Sequence, residues 1–388
     1  MAKYPTTTIL FQALLLLFLP QSLTVSTTYN ISYFGAKPDG TTDSTSSLFR
    51  AWSLACASTK PSTIYVPQGQ FLLKNLRFEG PCANKAITFH IVGTLVAPSN
   101  YNFFKNVGYW LLFEGVDCVS IHGGNLDGRG GSLWACKKSG KTCPNGATIL
   151  GISNSKNVLI SGLTSLNSQM FHIVINGCQN IMLQGLNVLA PGDSPNTDGI
   201  HVQLSNGVTI LNSSIGTGDD CISIGPGATN LWIENVGCGP GHGISIGSLG
   251  KDYEEAGVQN VTVKTARFKD TQNGLRIKTW GRPSKGFVRG VLFQHATMTN
   301  VQNPIVIDQN YCPSNKNCVK INNVTYQDIR GTSATEIAVK FNCSRTCPCH
   351  EIRLKDVNLS YIYQPARSSC SNAAGSAIGL IEPSSCLY

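Results

Sequence analysis

From the middle of the chain onward the apolar positions recur as apolar-x-apolar-x-x-apolar. The pattern appears as Val158/Ile160/Leu163, Ile181/Leu183/Leu186, Leu231/Ile233/Val236, Val324/Tyr326/Ile329 and Ile352/Leu354/Val357, with weaker copies beginning at Val208, Val261 and Val291. An Asn or Gly usually stands just before the first apolar position. Successive starts lie 23, 27, 23, 30, 30, 33 and 28 residues apart. That spacing is too irregular for a leucine-rich repeat and too long for a heptad. Most units carry a second apolar pair: Ile173/Ile175, Ile200/Val202, Ile222/Ile224, Ile244/Ile246, Leu275/Ile277 and Ile305/Ile307. Strict alternation over so few residues predicts a short strand with one buried face.

A unit of two short strands cannot bury its apolar face alone. Stacking such units in parallel makes a continuous core, so the expected fold is an all-β, right-handed parallel β-helix, a solenoid. A β-propeller is the competing architecture, but its blades need about 40–50 residues each. The first hundred residues are less regular. Within them, Thr45 to Ala57 is predicted as a helix capping the open end of the solenoid. The Ser/Ala/Gly-rich segment from about residue 366 is expected to be a loose tail tied by Cys370 and Cys386.

Register then places the polar residues. Aligned by their alternating positions, the second strands put Asp198 before Gly199-Ile200, Asp220 before Cys221-Ile222 and His242 before Gly243-Ile244. These residues are 22 and again 22 apart, one turn each time. Adjacent turns of a parallel sheet lie about 4.8 Å apart, so the three form a ladder with Asp219 beside it. One turn further on, Arg276 aligns with His201, Ser223 and Ser245, and Lys278 with Gln203, Gly225 and Gly247. Both cations point outward over a floor of small residues. Alone, an Asp-Asp pair is ordinary turn chemistry, and a lone His or a Lys/Arg pair is ordinary surface. Six such residues in consecutive turns on one side are harder to dismiss. Carboxylates stacked this closely repel, so at least one pKa is expected to rise. The arrangement suits glycoside hydrolysis, in which one carboxyl protonates the leaving oxygen and another activates water. Carboxylate ladders can also hold calcium, but His242 and the two cations argue against it, and no metal or cofactor is expected.

Composition narrows the setting. The chain has 388 residues, only 13% charged, with 39 Gly and a formal net charge of +9. Few charges and many glycines suit a turn-rich β protein. Lys3, the apolar run Ile9 to Leu19 and the small residues Thr24 and Ser26 predict a signal peptide over residues 1–26, leaving one catalytic domain over 27–388. The apolar run is too short to span a bilayer comfortably. The basic residues are scattered, which together with secretion excludes nucleic acid and a membrane surface as partners and favours an extracellular polyanion. There are 15 cysteines. Cys136/Cys143, Cys312/Cys318, Cys343/Cys347/Cys349 and Cys370/Cys386 are close enough in sequence to form disulfides in an oxidising compartment. The odd count leaves at least one thiol unpaired. A zinc site at the Cys343–Cys349 cluster is weaker, lacking a second Cys-x-x-Cys. Six sequons, at Asn30, Asn212, Asn260, Asn323, Asn342 and Asn358, agree with secretion.

Four motifs carry a family resemblance: Asn196-Thr197-Asp198, Gly218-Asp219-Asp220, Gly241-His242-Gly243 and Arg276-Ile277-Lys278. In order and spacing, the chain resembles the polygalacturonases of glycoside hydrolase family 28 over almost its whole mature length. That resemblance implies a metal-free, inverting hydrolase of de-esterified pectin, secreted to the extracellular space and cell wall and acting as a monomer. It implies Asp219 as general acid, Asp198 and Asp220 as holders of the attacking water, and His242 as tuner of the acid. It also implies Arg276 and Lys278 as the grip on galacturonate carboxylates, with Asn196 and Tyr311 as further substrate contacts and a Cys221–Cys238 disulfide bracing the site. The nearest likeness is to the pollen-type plant branch, which tends towards exo action. Two alternatives stand beside this reading: a rhamnogalacturonan-type hydrolase, and a non-catalytic pectin-binding wall protein or allergen. The full cation pair disfavours the first, and the clustered carboxylates disfavour the second.

Overall fold

The computed structural model describes residues 26–105, 107–312 and 318–388. The expected signal peptide lies outside the described residues, apart from Ser26. The rest forms a parallel β-helix, as the repeat predicts. The first strand of each unit stacks on that of the next: Lys156–Ser161, Gln179–Gln184, Asn206–Gly216, Thr229–Cys238, Val258–Lys269, Phe287–Val301, Lys320–Ser333 and Cys349–Tyr361. The second strands make a separate parallel sheet of 11 strands that runs from Leu76–Glu79 to Arg367–Ser371.

The two-residue gap in the apolar pattern has a backbone cause. One residue in each gap adopts a left-handed conformation: Gly162, Gly185, Asn212, Asn235, Thr265, His295, Asp328 and Asp356 all have φ between 50° and 63°. That residue turns a corner and resets the alternation, so the third apolar side chain still points inward. The corner before the first apolar position is built the same way, at Asn157, Asn180, Asn230, Asn260 and Asn323. Asn tolerates this region better than most residues. The corner amides also link successive coils, as Asn180 Nδ2 does by donating to Asn157 Oδ1 at 2.7 Å.

Register carries one apolar position through eight coils: Ile160, Leu183, Ile210, Ile233, Val263, Phe293, Tyr326 and Leu354. All are at most 2% exposed, so no coil can slip without moving its neighbours' core. Emptying one such position, as in Ile210→Ala, costs about 2–5 kcal/mol. The helix Thr45–Ala57 forms as expected. Its Trp52 packs edge-on against Phe78 and Phe113 and stacks on Phe89, closing one end of the solenoid interior.

The solenoid includes the less regular early region, where Thr27–Asn30, Ser62–Val66, Ile87–Ile91 and Asp117–His122 continue the first-strand ladder. Two expectations need correction. The segment after Pro365 is not loose: Arg367–Ser371 and Ala373–Glu382 extend both sheets by a coil, with Cys370 bonded to Cys386. Cys312 does not pair with Cys318. Register sets Asn322 beside His350, which brings Cys318 to Cys347, and Cys312 remains a free thiol with Cys118 and Cys178. The pairs Cys136–Cys143, Cys343–Cys349 and Cys221–Cys238 form, as does Cys56–Cys82.

Candidate active site

The short turns that enter the second strands present the expected ladder. Ile200, Ile222, Ile244 and Leu275 stack in register, as do His201, Ser223, Ser245 and Arg276. The turn backbone is tied from coil to coil. Gly199 N–H donates to the Asp220 carbonyl at 2.9 Å, Cys221 N–H to Gly243 at 2.8 Å and His242 N–H to Asp219 at 2.8 Å. A Cβ on Gly218 would lie 2.0 Å from the Ser194 carbonyl, so only glycine lets these two turns pack. The disulfide Cys221–Cys238 pins the middle turn from behind.

Each carboxylate has a different environment. Asp220 is 1% exposed and accepts hydrogen bonds from Arg276 Nη2 at 2.7 Å, Lys278 Nζ at 2.8 Å and Ser245 Oγ at 2.9 Å. Arg276 Nε also donates to Ser245 Oγ, at 2.9 Å. Asp198 is buried without such a clamp. Burial, then the charges of Asp219 and Asp220, push its carboxyl well above the ordinary value. Asp219 is opposed by burial too, but the hydrogen bond and charge of His242 outweigh it and hold the carboxyl low. The His242 Nδ1 to Asp219 Oδ1 distance is 3.1 Å. One raised carboxyl beside one lowered carboxyl is the pattern expected of an acid–base site.

The cations differ from expectation. Arg276 and Lys278 do face outward, since Leu275 and Ile277 are fully buried. Both, however, spend donors on Asp220 and are nearly buried. Lys278 borders the open cavity, which has a volume of about 460 Å³; Arg276 sits behind it. Tyr311 lies at the same end, its ring centroid 5.3 Å from Lys278 Nζ, a cation–π distance. Asn196 is exposed on the cavity wall in a left-handed turn (φ 59°). That turn is fixed by the contact of Ser194 Oγ with Thr197 Oγ1 at 2.7 Å. The structure thus brings all eight expected residues to one place.

Several cavity residues carry no motif that marks them in the sequence. His201 aligns with Ser223 in the repeat; it contacts Ser223 Oγ at 2.7 Å and Gln203 Oε1 at 3.1 Å, and stacks on Phe171 with centroids 5.3 Å apart. Burial lowers its pKa, which favours the neutral ring. Lys251, Asp252 and Glu255 reach the cavity from an insertion that the repeat could not place. Asp219, Asp220 and His242 offer donor atoms within 4.8 Å of one another. That set does not fit an ion, because both Asp220 oxygens already face cations.

The fold and the site together define a β-helical hydrolase-type groove with an acid–base carboxylate cluster. The chain belongs to glycosyl hydrolases family 28, whose model matches residues 56–386. It is 64% identical over 367 residues to a polygalacturonase from Prunus persica, covering 93% of each chain. It is 44% identical to an exopolygalacturonase from Platanus acerifolia, covering 89% of this chain and 93% of the other. Among solved structures, an endo-xylogalacturonan hydrolase from Aspergillus tubingensis aligns with a TM-score of 0.79 at 21% identity, covering 91% of this chain and 99% of the other. That likeness concerns the fold.

Proposed function

We propose that the chain is a polygalacturonase that hydrolyses the bonds between galacturonate units of de-esterified pectin, with inversion. The observation that carries this is the division of labour among three stacked carboxylates: one clamped by two cations, one raised by burial and one paired with His242. The relatives' names supply the sugar. In this reading Asp219, supported by His242, gives its proton to the glycosidic oxygen. Asp198 and Asp220 hold a water on the opposite side, and Asp198 takes its proton as the water oxygen bonds to the anomeric carbon. Asp198 must therefore start ionised and Asp219 protonated, the reverse of the order the empty site favours, so in this reading the proton passes to Asp219 when substrate enters. The pair shares one proton, which titrates as a property of both groups. A raised pKa makes Asp198 the stronger base once it is ionised.

Lys278 has three donors and uses one on Asp220; Arg276 has five and uses one on Asp220 and one on Ser245. The donors left on Lys278 grip a galacturonate carboxylate at the cavity edge, while Arg276 holds Asp220 and hence Lys278 in place. Tyr311 and Asn196 contact the sugars. The six disulfides fit an extracellular compartment, and we assign the protein to the cell wall as a monomer. The test is release of reducing ends from polygalacturonate, compared with a neutral glycan and with Asp198→Asn and Asp219→Asn enzymes. Near-normal turnover by both variants, or equal activity on the neutral glycan, would sink the reading.

A further inference from the structure

The outward-facing column of the second sheet changes character sharply along its length. In register it runs Leu112, Gly151, Val174, His201, Ser223, Ser245, Arg276, Val306. Between Leu112 and Val306 only the four consecutive coils His201 to Arg276 are polar, a stretch of about 14 Å from first to last at normal strand spacing; polar residues return at the column's two ends, at Arg77 and at Lys340 and Ser369. The catalytic carboxylates sit at the first two of these coils, so the polar floor is lopsided about them. On the Arg276 side it continues to Lys278 and Tyr311. On the other side it stops one coil away, where Val174 is 4% exposed despite facing outward. Phe171 stands at that boundary, stacked on His201, and no residue before it lines the cavity among the described residues.

The boundary is braced. The segment between Asp127 and Thr148 carries the helix Gly131–Lys138 and the Cys136–Cys143 disulfide. Trp134 Nε1 donates to the Ser168 carbonyl at 3.1 Å, three residues before Phe171. Lys138 Nζ pairs with Asp193 at 2.5 Å, reaching the turn that carries Asn196 and Asp198. The next cavity on that side is separate and lies against this helix, lined by Asp127, Arg129, Trp134 and Asn167 among others.

From this we infer that Phe171, on its braced turn, is an end-stop, leaving room for a single sugar ring on the far side of the catalytic carboxylates from Lys278. The inference rests on the polygalacturonase reading above. In that reading the acid pair Asp219–His242 lies towards Arg276 and Lys278, so the leaving chain extends that way. The ring under attack then lies against Phe171 and must be the non-reducing terminus. The enzyme removes one galacturonate at a time, and Phe171 is the residue that sets this.

Wild-type enzyme is first given polygalacturonate. Monogalacturonate as the sole early product, with a slow fall in viscosity, is expected; early oligomers with a rapid fall overturn the end-stop. No product from polygalacturonate under any condition would instead defeat the underlying reading. A second wild-type arm needs no variant to fold. Trigalacturonate with an unsaturated ring at its non-reducing end is expected to be cleaved about 10²-fold slower than the saturated trimer, the usual penalty for a misplaced reacting ring. A trimer reduced to the alditol at its other end is expected to be cleaved at a rate close to normal. Equal rates for all three overturn the inference. Finally, Phe171→Ala is expected to release dimers and longer oligomers, while Arg129→Ala, in the separate cavity, leaves the product pattern and KM unchanged. Monomer alone from a folded, active Phe171→Ala enzyme, or weakened binding of long chains by Arg129→Ala, shows that the groove ends elsewhere.

Discussion

Replacing Asp220 by Asn is expected to damage stability as well as activity. Asp220 is 1% exposed, and its two oxygens compensate a guanidinium and an ammonium that are themselves nearly buried. Asparagine keeps the size but not the charge, and leaves two cations facing each other. Removing one partner of a buried pair costs about 3–5 kcal/mol, because the remaining charge is uncompensated. Asp198→Asn makes the opposite case. Burial keeps that carboxyl protonated well above its ordinary pKa, so a neutral amide resembles the form it already takes in the empty site. Both variants lose turnover by about 10²–10⁴, as loss of a general base does, but only Asp220→Asn should lower the urea midpoint at pH 5. Lys278→Met added to Asp220→Asn should recover part of the loss, since it removes one stranded charge. A wild-type midpoint for Asp220→Asn, or no coupling between positions 220 and 278 in the double-mutant cycle, refutes the clamp.

Four further outcomes follow from the same geometry. The first-formed product should be the β anomer, detectable by proton NMR of fresh digest; an initial α anomer refutes inversion. Lys278→Ala should reduce kcat/KM on polygalacturonate by about one to two orders of magnitude, as loss of a charge-assisted hydrogen bond does, and fully methyl-esterified pectin should be a poor wild-type substrate; equal rates on the two substrates refute the carboxylate grip. The Asp198 pKa is raised on folding, so the folded state holds an extra proton between the ordinary aspartate value and the raised one. Stability contributed there is full at low pH and falls as pH rises through that window, and Asp198→Asn should abolish this component of the pH dependence of urea unfolding; an unchanged slope argues against a raised carboxyl. Cys221→Ser/Cys238→Ser enzyme should lose about 2–4 kcal/mol of stability in a reversible unfolding assay, and an unchanged midpoint refutes the bracing role.

The site was legible in the sequence because a parallel solenoid turns sequence spacing into vertical distance. Asp198, Asp220 and His242 are separated by equal intervals with no insertion, so alignment of the apolar pairs was enough to stack them. The same logic correctly aimed Arg276 and Lys278 outward across a longer interval, since Leu275 and Ile277 fix the phase whatever the intervening loop does. The early coils show little of the repeat in sequence because their apolar pairs lie in strands as short as Gln70–Leu72, interrupted by the capping helix. The terminal coil is hidden because Ser and Ala at its strand positions carry little alternation, although their backbones extend the ladders all the same.

Lateral pairing was the part that spacing could not reveal. Phase says that Arg276 and Lys278 leave the sheet on the outer side, but not which carboxylate they meet. The long side chains reach back across two coils, past Ser245 and the small Gly247, to the buried Asp220. A smaller floor residue thus does more than open a groove: it lets a cation reach a carboxylate that would otherwise be stranded. The consequence is chemical. With Asp220 compensated, the uncompensated charge in the cluster is left to Asp198 and Asp219, whose surroundings favour a proton on Asp198 in the empty site, and the proposed roles require substrate to reverse that order. In the proposed mechanism an arginine and a lysine that look from sequence like substrate-binding residues would therefore also set the charge balance of the acid–base cluster, so removing Lys278 is expected to alter turnover as well as binding.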